Sequence, residues 1–418
     1  MTTIAEQRTA TFFGWRVVAG AFVLAVFGWG IGFYGPPVFL QTIRTTRDWP
    51  LGLVSTAVTA HFLIGALAAA NLPAIHRRLG IALVTKVGAV FVALGIFGWA
   101  TATAPWQLLC ATVLSGLGWA AMSAAAINAI VSPWFVRERP AALSMAYNGG
   151  SIGGVVFSPL WVAAIGALGF PAAAATIGAI AVVTLWCLAD LLFTRAPEQM
   201  GLPPDGDAGA PAVLKAPDAL PPAGRSLWHD PTFITLCAGM MFGLFAQIGL
   251  IAHLFSLLAP ALGAQSAGWA MGGATALAIG GRTAVGWLMP DGADRRLVAC
   301  ASYAIQIAGS LAFVMAGGTH APLLLAGVLL FATGIGNATS LPPLIAQSEF
   351  AKNDVARVVA LIVGISQAGY AFAPAAFGLI RELAPAGSGS TAIFVVAAAL
   401  QGLAIGAFLA GRGRYRRV

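Results

Sequence analysis

In this chain of 418 residues the side chain that most needs a chemical explanation is Arg282, in the stretch AIGGRTAVGWLMPDGADRR from Ala278 to Arg296. A guanidinium stays charged at any physiological pH, and placing one inside a hydrocarbon-length segment costs at least ~2.5–3.5 kcal/mol on insertion scales. All fourteen Asp and Glu residues fall in loops or at helix ends, Asp190 coming nearest to a membrane interior, so no carboxylate is left to neutralise it. A planar fork of donors without an acid beside it is suited to binding an anion, a carboxylate above all, by two parallel charge-assisted bonds. The competing use is snorkelling toward the nearer interface, or bonding to backbone carbonyls.

Two histidines are the remaining groups in apolar segments that titrate near neutrality: His61, and His253 in QIGLIAH. Each either carries a coupling proton or donates to a substrate, or else sits neutral and bonds a neighbouring helix. His253 is preferred for a functional role, because its segment is expected to line a cavity opposite the first one. The neutral polar residues at mid-depth are Tyr34, Tyr147, Asn148, Gln247, Asn337, Gln367 and Tyr370. They form an orienting shell around a substrate, or act as ordinary interhelical glue worth ~0.6 kcal/mol each. Nothing in the chain has the form of a catalytic triad, a metal cluster or a nucleotide site, and Gly280-Gly-Arg-Thr283 lacks the strand and the Lys-Ser/Thr of a phosphate loop. Neither an enzyme nor a cofactor is expected, and driving by ATP is unsupported.

The elements that must position these residues follow from composition. Hydrophobic residues make up 59% of the chain and charged ones 9%, against roughly 25% charged in a soluble domain, which marks an integral membrane protein whose standing partner is the lipid bilayer. The formal charge of +8 comes without a basic stripe interleaved with aromatics, which argues against nucleic acid as a partner. Cys110, Cys187, Cys237 and Cys300 lie in apolar runs without paired spacing and read as small hydrophobes. The first apolar run is full length and is expected to stay as a signal anchor.

A helical span takes ~20 apolar residues. Twelve runs qualify, over 15–40, 51–74, 81–103, 106–131, 140–165, 171–193, 232–258, 266–289, 296–317, 321–347, 354–380 and 389–411. They lack the ~10-residue alternation of a transmembrane barrel. Residues 194–231, centred on PPDGDAGAPAVLKAPDALPPAG, cannot bury a core and are expected to be a flexible linker between a first half, 1–193, and a second, 232–418. The fold expected is therefore all-α, with twelve transmembrane helices in two pseudo-symmetric bundles of six.

Orientation follows from the basic residues. With the N-terminus in the cytoplasm, eighteen of the 22 Lys and Arg are inside (Arg8, Arg16, Arg77, Arg78, Lys86, Arg137, Arg139, Arg195, Lys215, Arg225, Arg295, Arg296, Lys352, Arg357, Arg412, Arg414, Arg416, Arg417) and three outside (Arg44, Arg47, Arg381). Both termini and the linker are then cytoplasmic, in the cell (inner or plasma) membrane, and Arg282 alone lies within the bilayer.

Six plus six helices with a long central loop resemble the major facilitator superfamily, whose halves enclose a midplane site. Arg282 followed by Gly286, Trp287 and Leu288 resembles the Arg-x-x-x-Gly signature of its monocarboxylate transporters and oxalate/formate antiporters, where the resemblance implies that this arginine holds the substrate carboxylate. Phe13-Gly14-Trp15 is similar to that family's first-helix signature without its acidic residue. Ser132-Pro-Trp-Phe135 with Arg137, Arg139 and Ala142 resembles its turn between spans four and five, and Gly149 to Gly154 leading to Pro159 its glycine-rich fifth helix.

The chain also departs from the pattern. The superfamily's Asp-Arg-x-Gly turn reads Arg77-Arg78-Leu79-Gly80, and its repeat has Pro290 in the acid's place with Asp291 one residue late. Relatives keep a proton-linked Asp where this chain has Ala278, and the oxalate exchangers a second cation where Gly364 to Tyr370 is neutral. Gly35-Pro36-Pro37 after Tyr34, and Gly334, Gly336 and Pro342-Pro343 around Asn337, predict breaks in the first and tenth spans. The expectation is a monomeric transporter of a small, monocarboxylate-like organic anion, rocking about Arg282. The alternative is an exporter of amphipathic or drug-like compounds.

Overall fold

The computed structural model describes residues 12–206, 227–290, 292–385 and 387–412. The centre of the linker (207–226), Asp291 and the basic residues Arg8, Lys215, Arg225, Arg414, Arg416 and Arg417 of the charge pattern lie outside the described residues.

The described chain crosses from end to end twelve times. The first half comprises α1 (Phe13–Arg47), α2 (Leu51–Leu79), α3 (Ile81–Thr101), α4 (Pro105–Trp134), α5 (Arg139–Leu168) and α6 (Phe170–Phe193). The second half comprises α7 (Pro231–Leu262), α8 (Ala264–Leu288), α9 (Arg295–Ala316), α10 (Ala321–Glu349), α11 (Lys352–Tyr370 continued by Ala373–Leu383) and α12 (Gly389–Ala410). Eleven of these helices are long and apolar enough to cross a membrane by length and composition. The exception is α8, whose 25 residues reach about 37 Å at 1.5 Å each but include Gln265, Ser266, six glycines and Arg282. The span that falls short in hydropathy is the one that carries the intramembrane charge.

Three of the tight connections use the same device. Gly80, Gly169 and Gly263 join α2 to α3, α5 to α6 and α7 to α8 as single residues with φ of +79°, +76° and +80°. That conformation is open only to glycine without strain, so each acts as stop for one helix and start for the next.

The halves meet away from the linker. Glu382 at the end of α11 accepts a hydrogen bond from the Gly52 backbone N at the start of α2 (2.7 Å), and the Ala375 N donates to Thr59 Oγ1 (3.0 Å). A side chain at Gly378 would strike Ser55 Oγ at 2.0 Å, so α2 and α11 touch there through bare backbone. Both of these hydrogen bonds lie at the end opposite the linker. Below them Phe33, Pro37, Val58 and Phe62 pack on Ile248, Ile251 and Ala252 around a void of only about 10 Å³. That end is sealed.

The predicted breaks are present. α1 ends its first segment at Gly32 and resumes at Gly35, and α10 is interrupted between Ile335 and Asn337. α4 breaks at Ala121–Ser123 without a proline to announce it, and α11 at Ala371–Phe372, where Pro374 in the first turn of the resumed helix has no N–H to continue the ladder. Of the linker, residues 204–206 are tied to the first half. Asp205 accepts from the backbone N–H groups of Val136, Arg137 and Glu138, capping the entry to α5.

Candidate functional site

Between the halves, on the linker side of the seal, lies a cavity of about 400 Å³ lined by residues of α1, α4, α5, α7, α8, α10 and α11. The lining positions repeat with the helical period. On α8 they are Thr275, Ala278, Ile279 and Arg282, and on α7 they are Leu244, Gln247, Ile248 and Ile251, the i, i+3, i+4, i+7 pattern of a single face. Trp29, Phe33 and Tyr34 from α1 and Tyr147, Gly150 and Ser151 from α5 form the wall contributed by the first half.

Arg282 is half-buried at this cavity, and among the described residues it makes neither an ion pair nor a hydrogen bond. Its aim follows from what lies behind it. A Cβ on Gly336, at the break in α10, would come within 2.5 Å of the Ala278 carbonyl and 2.9 Å of Arg282 Cβ, and one on Gly281 would strike the Thr333 carbonyl at 2.0 Å. Backbone contact between α8 and α10 thus fills the space behind the arginine and leaves the cavity in front. Ala278 also lines the cavity, so the arginine's nearest turn offers it a methyl group.

Tyr34 places its hydroxyl against Thr275 and in the field of Arg282. The ring fits because residue 154 is glycine: a Cβ there would lie 2.5 Å from the Tyr34 ring and 2.7 Å from the Thr275 methyl. Gln247 is 3% exposed, and its side-chain oxygen has no hydrogen-bond partner. Tyr370 closes the wall from α11.

Of the ten residues singled out in the sequence, five therefore come together at the cavity: Arg282, Tyr34, Tyr147, Gln247 and Tyr370. The others lie elsewhere. His61 is buried inside the first half, with Nε2 2.9 Å from the Gly32 carbonyl and Nδ1 2.9 Å from Ser115 Oγ, which also accepts from Trp99 Nε1. Because a carbonyl only accepts, Nε2 carries the proton and Nδ1 receives the serine hydroxyl, so the neutral ring is fully used. His253 is buried at the sealed end, bonding the Pro374 carbonyl at 2.9 Å and leaving Nδ1 without a partner. Asn337 is buried within the second half, donating to Ser302 Oγ at 3.2 Å. Asn148 is exposed beside Tyr147, and Gln367, half-buried a turn before Tyr370, is not part of the lining.

Trp29, Phe33, Thr275 and Thr339 also line the cavity and were not singled out. Their signal was present in part: Thr275 stands seven residues before Arg282, hence on the same helix face. Among the described residues no group of His, Cys, Asp or Glu is placed to hold a metal ion.

An all-helical protein with twelve crossings, a sealed end and a central cavity open toward the other belongs to the class of alternating-access membrane transporters. The chain is a member of the Major Facilitator Superfamily, whose family model matches residues 88–374. It is a transporter of some small substrate and not an enzyme. Among solved structures it is similar to the nucleoside transporter NupG, with a TM-score of 0.75 at 13% identity over 95% of this chain and 100% of that one. It is likewise similar to a bacterial homologue of the human lysosomal transporter Spinster, caught inward-facing and unoccupied, with a TM-score of 0.70 at 16% identity over 96% and 98% of the two chains. A sequence search of curated proteins finds no match. At such identities the structural likeness speaks for the fold alone.

Proposed function

We propose that this protein carries a small organic anion of the monocarboxylate type across the cell membrane by alternating access, with Arg282 holding the carboxylate. The observation that supports this reading is an arginine that reaches the central cavity and has no acid to pair with among the described residues. A permanent cation in a water-poor site lowers its free energy when an anion enters, and the guanidinium fork matches two carboxylate oxygens at once. Tyr34, Tyr147, Gln247 and Tyr370 orient the rest of the molecule. The eighteen-to-three distribution of basic residues supports a cytoplasmic linker and cytoplasmic termini, an orientation that turns the sealed end outward and the cavity inward.

Coupling follows from what the cavity lacks. Ala278 replaces the acid that would take a proton, and His61 is spent on Gly32 and Ser115. Anion exchange or facilitated diffusion suits this set of groups better than proton symport. Proteoliposomes test it: uptake stimulated by substrate on the opposite side, with no change of internal pH, is the expected outcome.

A second reading, export of amphipathic compounds, draws on the five aromatic residues of the lining. Thermal-shift screening of the purified protein against carboxylates, nucleosides and neutral amphiphiles separates the two, since a ligand that binds only the folded state raises the melting temperature. Carboxylates should stabilise the wild type and lose that effect in Arg282→Ala. Stabilisation by neutral compounds that is indifferent to Arg282→Ala would remove the carboxylate reading.

A further inference from the structure

The cavity that holds Arg282 has a second polar anchor and an unusual wall. Gln247 is nine-tenths buried, faces the cavity and leaves its amide oxygen unpaired, and a buried acceptor in that state gains from any donor that reaches it. The amide can also turn over to present its N–H groups, and a hydroxyl satisfies either face because it both donates and accepts. Around these two anchors stand Trp29, Phe33, Tyr34, Tyr147 and Tyr370. Rings of this kind contribute most when they meet another flat apolar surface, edge to face or offset. The volume, about 400 Å³, is in the range that takes drug-sized ligands and far exceeds what an acid of three or four carbons fills.

We infer that the site selects hydroxylated ring carboxylates, such as hydroxyarene carboxylates, over short aliphatic acids, with Arg282 taking the carboxylate, the aromatic wall taking the ring and Gln247 taking the hydroxyl. The inference rests on the carboxylate reading of Arg282 and adds to it a size class and a specificity-determining residue. A short acid bonded to Arg282 would leave the aromatic wall and Gln247 uncovered. A ring acid without a hydroxyl would still leave the Gln247 oxygen unpaired in a site made drier by the ligand.

Equilibrium binding to the purified full-length protein, with benzoate, 3- and 4-hydroxybenzoate, cyclohexanecarboxylate and lactate as probes, tests both parts. One hydroxybenzoate isomer should bind about five- to tenfold more tightly than benzoate, the scale of one neutral hydrogen bond, and every ring acid at least tenfold more tightly than lactate. Gln247→Leu, or the softer Gln247→Met, should erase the preference for the hydroxyl, so that neither hydroxybenzoate binds more tightly than benzoate. Arg282→Ala should weaken binding of the whole series roughly ten- to a hundredfold, the scale of charge-assisted bonds. Lactate bound as tightly as the ring acids, or a hydroxyl preference that survives at position 247, overturns this inference. In either case a weakening of all the acids in Arg282→Ala leaves the carboxylate reading standing. Binding that is unaffected by Arg282→Ala, or no binding of any acid, defeats that reading and this inference with it.

Discussion

Arg282 and Arg296 sit on consecutive helices of the second half, and the protein treats them in opposite ways. Arg296 is 1% exposed, and its guanidinium is fully engaged: Nε and Nη2 donate to the two Glu349 oxygens at 2.7 and 2.8 Å, and Nη1 and Nη2 also reach Thr235 Oγ1 and the carbonyls of Phe408 and Thr232. It ties α7, α9, α10 and α12 together at the linker end. Arg282, nearer mid-depth, has a cavity where Arg296 has a carboxylate. A buried arginine with all donors satisfied is a structural rivet, whereas one without a protein partner at a cavity keeps its donors available to a ligand. Position in the chain and residue type do not distinguish them; the company each keeps does.

The largest effect that sharpens this comparison is expected at the rivet. Arg296→Met should strand Glu349 and destabilise the fold by about 3 kcal/mol, toward the low end for a broken buried pair because the acid is partly solvated. It should lower the melting temperature sharply, while carboxylate affinity of the folded fraction stays within about twofold. Arg282→Ala should do the reverse. Affinity for a carboxylate falls roughly ten- to a hundredfold, the scale of charge-assisted bonds, with the resting melting temperature nearly unchanged. Arg282→Lys keeps the charge, loses the fork and is expected to fall between the two. If Arg282→Ala melted like Arg296→Met, the distinction between rivet and hook would be gone.

The histidines extend the contrast at a smaller scale. His61→Ala leaves the Gly32 carbonyl and Ser115 without their partner and is expected to cost roughly 1–3 kcal/mol of stability. Its transport should keep the wild-type pH dependence, and a profile that flattens in this variant would return His61 to a coupling role.

The smallest effect is expected at the linker end. Asp294 caps α9 and meets Arg412 at 2.5 Å, and Asp205 caps α5. Partial burial pushes both carboxyls up, but the Arg412 guanidinium and backbone N–H groups at Asp294, and the backbone N–H groups of Arg137, Glu138 and Val136 at Asp205, outweigh it and hold both below the ordinary carboxylate value. A lowered folded value means that each contribution is fully present above the unfolded value, near 3.9, and fades as pH falls through the folded one. Unfolding followed between pH 5 and 2 should therefore show an acid loss that Asp294→Asn and Asp205→Asn each reduce, and unchanged acid limbs would contradict the caps.

Much of this was legible in the sequence, for identifiable reasons. Hydropathy runs report spans directly, because the bilayer imposes one length and one polarity on each. Arg282 stood out because a charge in such a run has no local explanation. Tyr34, Tyr147, Gln247 and Tyr370 were found as polar interruptions of apolar faces. The roles of Arg296 and His61 were not legible, since their partners, Glu349 for the one and Ser115 and Gly32 for the other, are brought close only by the packing of helices distant in sequence. Arg296 therefore reads in the sequence as one more cytoplasmic charge. Trp29 and Phe33 were missed because an aromatic residue in an apolar run looks the same whether it faces lipid, core or cavity. The break in α4 at Ala121–Ser123 has no proline or doubled glycine to mark it.

Whether Arg282 is an anion hook in the cavity is decided by paired probes. Binding of benzoate and of benzamide, its neutral isostere, is measured on wild type and on Arg282→Ala. The wild type should prefer the carboxylate by at least tenfold and the variant should show no preference; a preference for benzoate that survives without the arginine rules out the hook.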